Sequence, residues 1–295
     1  MINACPIPVH GQAIDCGFVM LGYFKIIILG IVQGITELLP ISSTAHMRIV
    51  PSLLGWADPG TPFSGAAQLA SFFAVMLYFK KELQSIVVDT TKSILQKNFS
   101  SHSFKLGVGI ILGTIPVCVA GLLLKSILNA PASPLRSIYV IGAASFFMGA
   151  LLVVCEKTTK PTREYSEITI KDAVLIGIAQ MFALIPGVSR SGSTLTAGLF
   201  LGLKRETAAA FSFILGVPVI TLAGVHEIYV LYKAGLSTHG FEILFAGIAT
   251  ASVSAFIAVF GLLRYLEKHS TYIFAWYRML LGVGLILGAL MGYLH

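Results

Sequence analysis

The sequence predicts an all-α polytopic membrane protein with an inverted-topology repeat: about six full transmembrane helices plus two re-entrant helical hairpins. Three observations lead there. Of the 295 residues, 56% are hydrophobic and 11% charged, and the mean hydropathy is +0.86, well outside the usual range of a soluble domain. Apolar runs of about 17 to 25 residues, the length a helix needs to cross a bilayer, recur along the whole chain. Finally, two serine-rich tips interrupt apolar stretches half a chain apart: Pro40-Ile41-Ser42-Ser43-Thr44-Ala45-His46 and Pro186-Gly187-Val188-Ser189-Arg190-Ser191-Gly192-Ser193-Thr194.

Residues 1–22 read as an N-terminal tail, since no Lys or Arg precedes the first apolar run and Pro6, Pro8 and His10 are wrong for a signal-peptide core. Cys5 and Cys16 are expected to pair only if that tail lies in an oxidising compartment. Cys118 and Cys155 fall inside apolar runs and read as packing residues, and the four cysteines show neither a CxxC pair nor metal spacing. Everything from 23 to 295 reads as one integral membrane domain.

Its first half, about 23–155, opens with a hairpin over 23–54. The rising arm is apolar apart from Lys25, Gln33, Thr36 and Glu37, and the piece after the tip, 47–54, is too short to span, so the chain returns to the side it came from. Spans are predicted at 63–79, 106–124 and 138–155. A charged linker, 156–172, follows. The second half, about 173–295, starts as the first did: Gly177-Ile178-Ala179-Gln180 echoes Gly30-Ile31-Val32-Gln33, 147 positions earlier. The second tip follows, then spans at 208–232, 241–263 and 276–294, where Gly284, Gly288 and Gly292 predict a small-residue packing stripe.

A hairpin plus three crossings is an odd number, so the halves are inverted and their tips meet near the bilayer middle, where broken helix ends hold charged ligands. Lys80, Lys81, Lys92, Lys97, Lys105, Lys157, Lys160, Arg163, Lys171, Lys204, Arg205, Arg264 and Lys268 fall on one side, against Lys25, Lys125, Arg136 and Lys233 on the other. The richer side is expected to be cytoplasmic, which puts both termini outside. No nucleic-acid partner is expected.

The second tip has the chemistry of an anion cradle. Ser189, Ser191, Ser193 and Thr194 can donate hydrogen bonds, Arg190 can bind phosphate oxygens bidentately, and the N–H groups of the following helix face the same place, a set suited to phosphate or diphosphate. The plainer reading is a cytoplasmic loop with one arginine and capping serines. Glu37 and Arg190 are costly in a membrane domain unless paired, solvated or bound to ligand, so the alternative to function is a buried ion pair locking the hairpins. Gln33 reads equally well as a helix–helix hydrogen bonder. His46, one helical turn after Ser43, is placed to act on that hydroxyl or to protonate a leaving oxygen.

With Gln33-Gly34-Ile35-Thr36-Glu37, the two tips resemble the signatures of the undecaprenyl-diphosphate phosphatase family, of the bacitracin-resistance type, over most of the chain from about residue 23. The resemblance implies removal of the terminal phosphate of undecaprenyl diphosphate, which returns the monophosphate carrier lipid to cell-wall synthesis in the bacterial plasma (inner) membrane. It implies Ser43 as nucleophile and His46 as its acid–base partner, although the family has also been read with the histidine attacking. Glu37 would activate the site or hold a divalent metal, Mg2+ or Ca2+. Arg190 with Ser189, Ser191 and Thr194 would clamp the diphosphate, with Gln33, Ser42 and Thr44 as further substrate contacts. Gln33 stands where some members carry Glu, which puts a two-carboxylate metal site in doubt, and Ala45 stands where a glycine is common. The expected partners are a polyprenyl diphosphate lipid, the bilayer and a second copy of the chain in a homodimer. The rival from another class is an inverted-repeat transporter or flippase for a polyprenyl phosphate, which needs the anion clamp but not Ser43 and His46; a purely structural scaffold leaves Glu37 and Arg190 unexplained.

Overall fold

The computed structural model describes residues 8–9, 12–13, 22–56, 60–128 and 133–294. The expected Cys5–Cys16 pairing and nearly all of the tail lie outside the described residues. Apart from an antiparallel pairing of Pro8–Val9 with Gln12–Ala13, the described chain is helical.

Helix α1 (Gly22–Leu38) ends where Pro40 cannot continue it, and α2 (Ser43–Leu53) returns from the tip. Ser42 turns the chain with φ 72°, the left-handed region, and its hydroxyl caps α2 by accepting from the Ala45 N–H at 3.5 Å. At eleven residues α2 is about 16 Å long, half a bilayer core. The next pair, α3 (Gly60–Ala67) and α4 (Leu69–Tyr78), lies where one continuous span was expected. Around Gln68 the ladder switches to tighter i→i+3 bonds, Gln68 N–H to Gly65 O and Ser71 N–H to Gln68 O. Then come α5 (Lys80–Leu95), α6 (His102–Leu123), the single turn α7 (Lys125–Leu128) and α8 (Ile138–Thr158).

A second helix–tip–helix unit follows. Helix α9 (Ile170–Met181) starts on a capping box between Thr169 and Asp172, passes through a 3-10 turn (Phe182–Leu184) to the second tip, and α10 (Arg190–Phe200) returns. The residue before α10, Ser189, has φ 67° and caps the helix through Gly192 N–H at 3.2 Å. Ser42 and Ser189 thus adopt the same rare backbone conformation 147 positions apart, the separation that relates Gly30 to Gly177. Helices α11 (Arg205–Lys233), α12 (Thr238–Leu266) and α13 (Tyr272–Leu290) complete the chain.

Among the described residues five helices, α6, α8, α11, α12 and α13, are long and apolar enough to cross a membrane. Beside these five stands the interrupted α3–α4 pair, whose apolar part, Phe63–Tyr78, is shorter and falls where the first of the expected spans was placed. Their outward faces carry Leu122, Leu123, Phe147, Leu280 and other large apolar side chains, as lipid contact requires.

The halves exchange arms. Helix α1 packs along α12, whereas α9 packs along α6; α8 pairs with α13, and α3 and α4 lie against α11. Glycine permits the closest approaches: a Cβ on Gly30 would sit 2.6 Å from Gly247 O, and one on Gly113 would sit 2.6 Å from Ala173 O. The α8–α13 crossing uses Gly142 and Gly282, each facing the other's carbonyl. This corrects the expected stripe: Gly284 faces open space, Gly292 ends the helix with φ 75°, and only Gly288 meets a neighbour, Leu294. The 156–172 segment is tied down at both ends. Glu156 accepts from Arg205 and Thr271, and Arg163 grips Asp172 through both guanidinium nitrogens at 3.1 and 2.6 Å.

Candidate active site

The two tips meet on Glu37. It lies in the last turn of α1, 6% exposed, and Gln33 one turn earlier donates its amide N–H to Oε2 at 2.9 Å. From the start of α2, Ser43 Oγ donates to the same oxygen at 2.6 Å. From the start of α10, Arg190 Nη2 donates to Oε1 at 3.2 Å. Ser43 and Arg190 are each the first residue of a returning helix, 147 positions apart, so equivalent places in the two halves supply a hydroxyl and a guanidinium to one carboxylate.

These residues line a cavity of about 720 Å³ with Thr44, Ser189 and Gln180. Among the described residues, Arg190 Nε and Nη1 have no hydrogen-bond acceptor, and both amide atoms of the buried Gln180 lack a partner. Other polar residues lining the cavity are Arg48, Arg136, Ser133, Ser137 and Glu227.

The remaining expected residues stand behind this front. Ser42 holds the α2 cap. Ser191 Oγ donates to the carbonyls of Glu37 and Leu39, both at 3.1 Å, and so binds the second tip to the first. Thr194 donates to Arg190 O at 2.8 Å and bonds Ser212, which fixes α10 on α11. Ser189 lines the cavity and also shares a hydrogen bond with Ser191.

His46 departs from its expected place beside Ser43. Its Nδ1 lies 2.8 Å from Ser42 O and its Nε2 2.6 Å from Tyr277 Oη, with the two rings stacked at 5.7 Å. A carbonyl only accepts, so neutral His46 carries its proton on Nδ1, and Nε2 accepts from the tyrosine hydroxyl. Ser43 donates its hydrogen bond to Glu37 instead, and His46 does not line the cavity. Sequence reasoning also missed Tyr277, Arg278 and Gln180. The signal for Arg278 was available, because an arginine inside an apolar span is expensive wherever it points.

A resident divalent metal does not fit this arrangement. Mg2+ and Ca2+ need several oxygen ligands, yet Glu37 is already shared among three donors, one a guanidinium that a cation would displace, and Gln33 turns its N–H to it. No cluster of three or more His, Cys, Asp or Glu suited to a metal occurs among the described residues.

The family model described as "Bacitracin resistance protein BacA" matches residues 26–284, a range containing both tips and all the residues that meet on Glu37. The chain belongs to this family. It is similar to "Undecaprenyl-diphosphatase 2" from Mesorhizobium japonicum, 52% identical over 262 residues that make up 89% of this chain and 99% of that protein. It is likewise similar to "Undecaprenyl-diphosphatase" from Gloeobacter violaceus, 50% identical over 92% of both chains. A protein of the same description from Trichormus variabilis is 46% identical over 95% of this chain and 87% of its own length.

Proposed function

We propose that this membrane protein removes the terminal phosphate of undecaprenyl diphosphate, releasing inorganic phosphate and the monophosphate carrier lipid for reuse in cell-wall synthesis, and so confers bacitracin resistance. The reaction follows from family membership and its relatives' names; the hydrogen bond from Ser43 to Glu37, with Arg190 on the carboxylate's other oxygen, supports the assignment of roles.

Ser43 Oγ attacks the terminal phosphorus, Glu37 takes the hydroxyl proton, and the bridging P–O bond breaks with its electrons on the departing lipid monophosphate, to which Glu37 passes that proton. Arg190 passes from Glu37 to the phosphate, spreading its fork over the equatorial oxygens as charge develops. Water then opens the phosphoserine, with Glu37 taking its proton and Ser43 regaining one as phosphate leaves. Thr44, Ser189 and Gln33 border the phosphate's path, while Ser42, Ser191, Thr194 and His46 hold the two tips. The divalent ion expected from the resemblance is proposed to arrive with the diphosphate's own oxygens and not as a resident of the site. Chelation that stops turnover, with no ion bound before substrate, is the expected pattern.

The topology belongs to the same proposal: two hairpins returning to their own sides, inverted halves, an inner-membrane location and both termini outside. Its support is the basic-residue asymmetry together with the cavity wall, where Arg136, assigned to the outer side, borders the same cavity as Ser43. A homodimer is proposed too, for light scattering in detergent to check.

The deciding experiment is phosphate release from a C55 diphosphate by purified protein, followed by mass spectrometry after quenching in mid-turnover. Phosphate on Ser43, and almost no turnover in Ser43→Ala, are expected. Phosphohistidine at His46, or binding without phosphate release, would overturn the assignment, the latter in favour of a transporter.

A further inference from the structure

Arg278 is the largest fully buried side chain among the described residues, 1% exposed in the first half of α13. None of its hydrogen bonds goes to a carboxylate. Nη1 donates to Pro40 O at 3.2 Å, and Nη2 donates to Gly187 O at 2.9 Å and Val188 O at 2.6 Å. Pro40 lies in the first tip and Gly187 in the second, and they are 147 positions apart, the separation that relates Ser43 to Arg190. One guanidinium therefore bridges equivalent carbonyls of the two halves, each three residues before the side chain that reaches Glu37. Gly192, in the first turn of α10, faces Nη1 so closely that a side chain there would displace it.

A charged group buried without a counter-ion is costly, and a packing role alone needs no charge. What only a guanidinium provides is a rigid planar fork whose two arms reach separate acceptors at fixed spacing. Tip carbonyls at broken helix ends are the acceptors that most need such donors, since the helix that follows each tip leaves them no intrahelical partner. The anchor is also firm: α13 is held to α8 by the Gly142–Gly282 crossing and by Ser145 Oγ, which donates to Arg278 O at 3.3 Å.

We propose that Arg278 is a positioning residue for catalysis, pinning the two tips at the spacing that presents Ser43 and Arg190 to the same phosphate. The inference rests on the site roles given above. It acts through the tips and has no contact with the substrate.

Steady-state turnover of a C55 diphosphate by Arg278→Lys and Arg278→Gln, with Ser43→Ala as control, tests it. An ammonium keeps the charge but not the fork, and glutamine keeps one donor arm, so both lose the double anchorage. Since misplacing reacting groups by about 1 Å costs on the order of a hundredfold, kcat is expected to fall about tenfold to a hundredfold. KM should stay within about threefold, because the phosphate ligands themselves remain. A general loss of folded protein would scale the active fraction and leave the kcat of monodisperse, active-site-titrated enzyme unchanged. Unchanged kcat in both variants would overturn the proposal, as would an equal rise in KM. Failure of both variants to yield monodisperse protein would overturn it too, in favour of a purely structural role. If Ser43→Ala itself turned over freely, the reading of the site would fail and not the pin.

Discussion

Replacing Glu37 by glutamine strikes the junction of the two halves. The shape is kept, but the carboxylate's two acceptor oxygens become one acceptor and one donor. Oε2 accepts from Gln33 and Ser43 and Oε1 from Arg190, so whichever way the amide turns, its N–H groups face at least one existing donor. In the proposed role of general base Glu37 would contribute about 10²- to 10⁴-fold, and kcat should fall by that factor. Arg190, with its side chain 12% exposed, loses its counter-charge. Breaking a buried pair from one side costs about 3–5 kcal/mol, which places the loss in thermal midpoint on the order of 10 °C. A diphosphate that occupies the freed guanidinium should recover part of this, up to about 2.7 kcal/mol at a hundred times its Kd. KM should therefore hold or fall while kcat collapses. Turnover and thermal shift, each measured with and without a non-hydrolysable diphosphate, check all three outcomes. Turnover within about threefold of the unsubstituted protein, or a KM that rises in step with the loss of kcat, would refute the role given to Glu37.

Arg190→Lys keeps the charge but not the fork, and should cost about tenfold to a thousandfold in kcat in the phosphate-release assay. Because His46 faces Tyr277 and not Ser43, His46→Ala and Tyr277→Phe should each lower kcat by less than about tenfold, well short of the loss in Ser43→Ala; equal losses would restore His46 as the acid–base group. For Asp172, burial pushes the carboxyl up, but the Arg163 guanidinium and the Thr169 N–H and O–H together outweigh it and hold it below the usual carboxylate range. A lowered folded-state value means stability that is fully present above the unfolded value, about 3.9, and is lost as pH falls through the lower folded one. The difference in thermal midpoint between the unsubstituted protein and Asp172→Asn should accordingly hold from pH 7 to about pH 4 and shrink below it; a gap that widens on acidification would reverse the sign.

The polar residues were legible because an apolar chain makes each one conspicuous. Glu37, Arg190 and the serine tips announced themselves by cost, and Pro40 and Pro186 by the breaks they force. Partner choice was not legible. Ser43 and His46 are a helical turn apart, which permits a contact, but Ser43 turns to Glu37 across the tip while Tyr277, distant in sequence, takes His46. The glycine spacing of α13 failed for a related reason: periodicity defines a stripe, yet packing on α8 uses Gly282, and Gly284 is left facing open space. The break at Gln68 carried no proline, and it brings a polar side chain to the wall of the cavity. What the repeat contributed was a rule for comparing the halves, which becomes chemically useful only with the contacts in hand. The two tips share the left-handed residue before the second helix, Ser42 in one and Ser189 in the other, and they differ in the first residue of that helix, Ser43 in one and Arg190 in the other. Positions 147 apart thus reach the two oxygens of one carboxylate, Ser43 bringing a hydroxyl and Arg190 a guanidinium, and the proposed division into attacking group and clamp rests on that single difference.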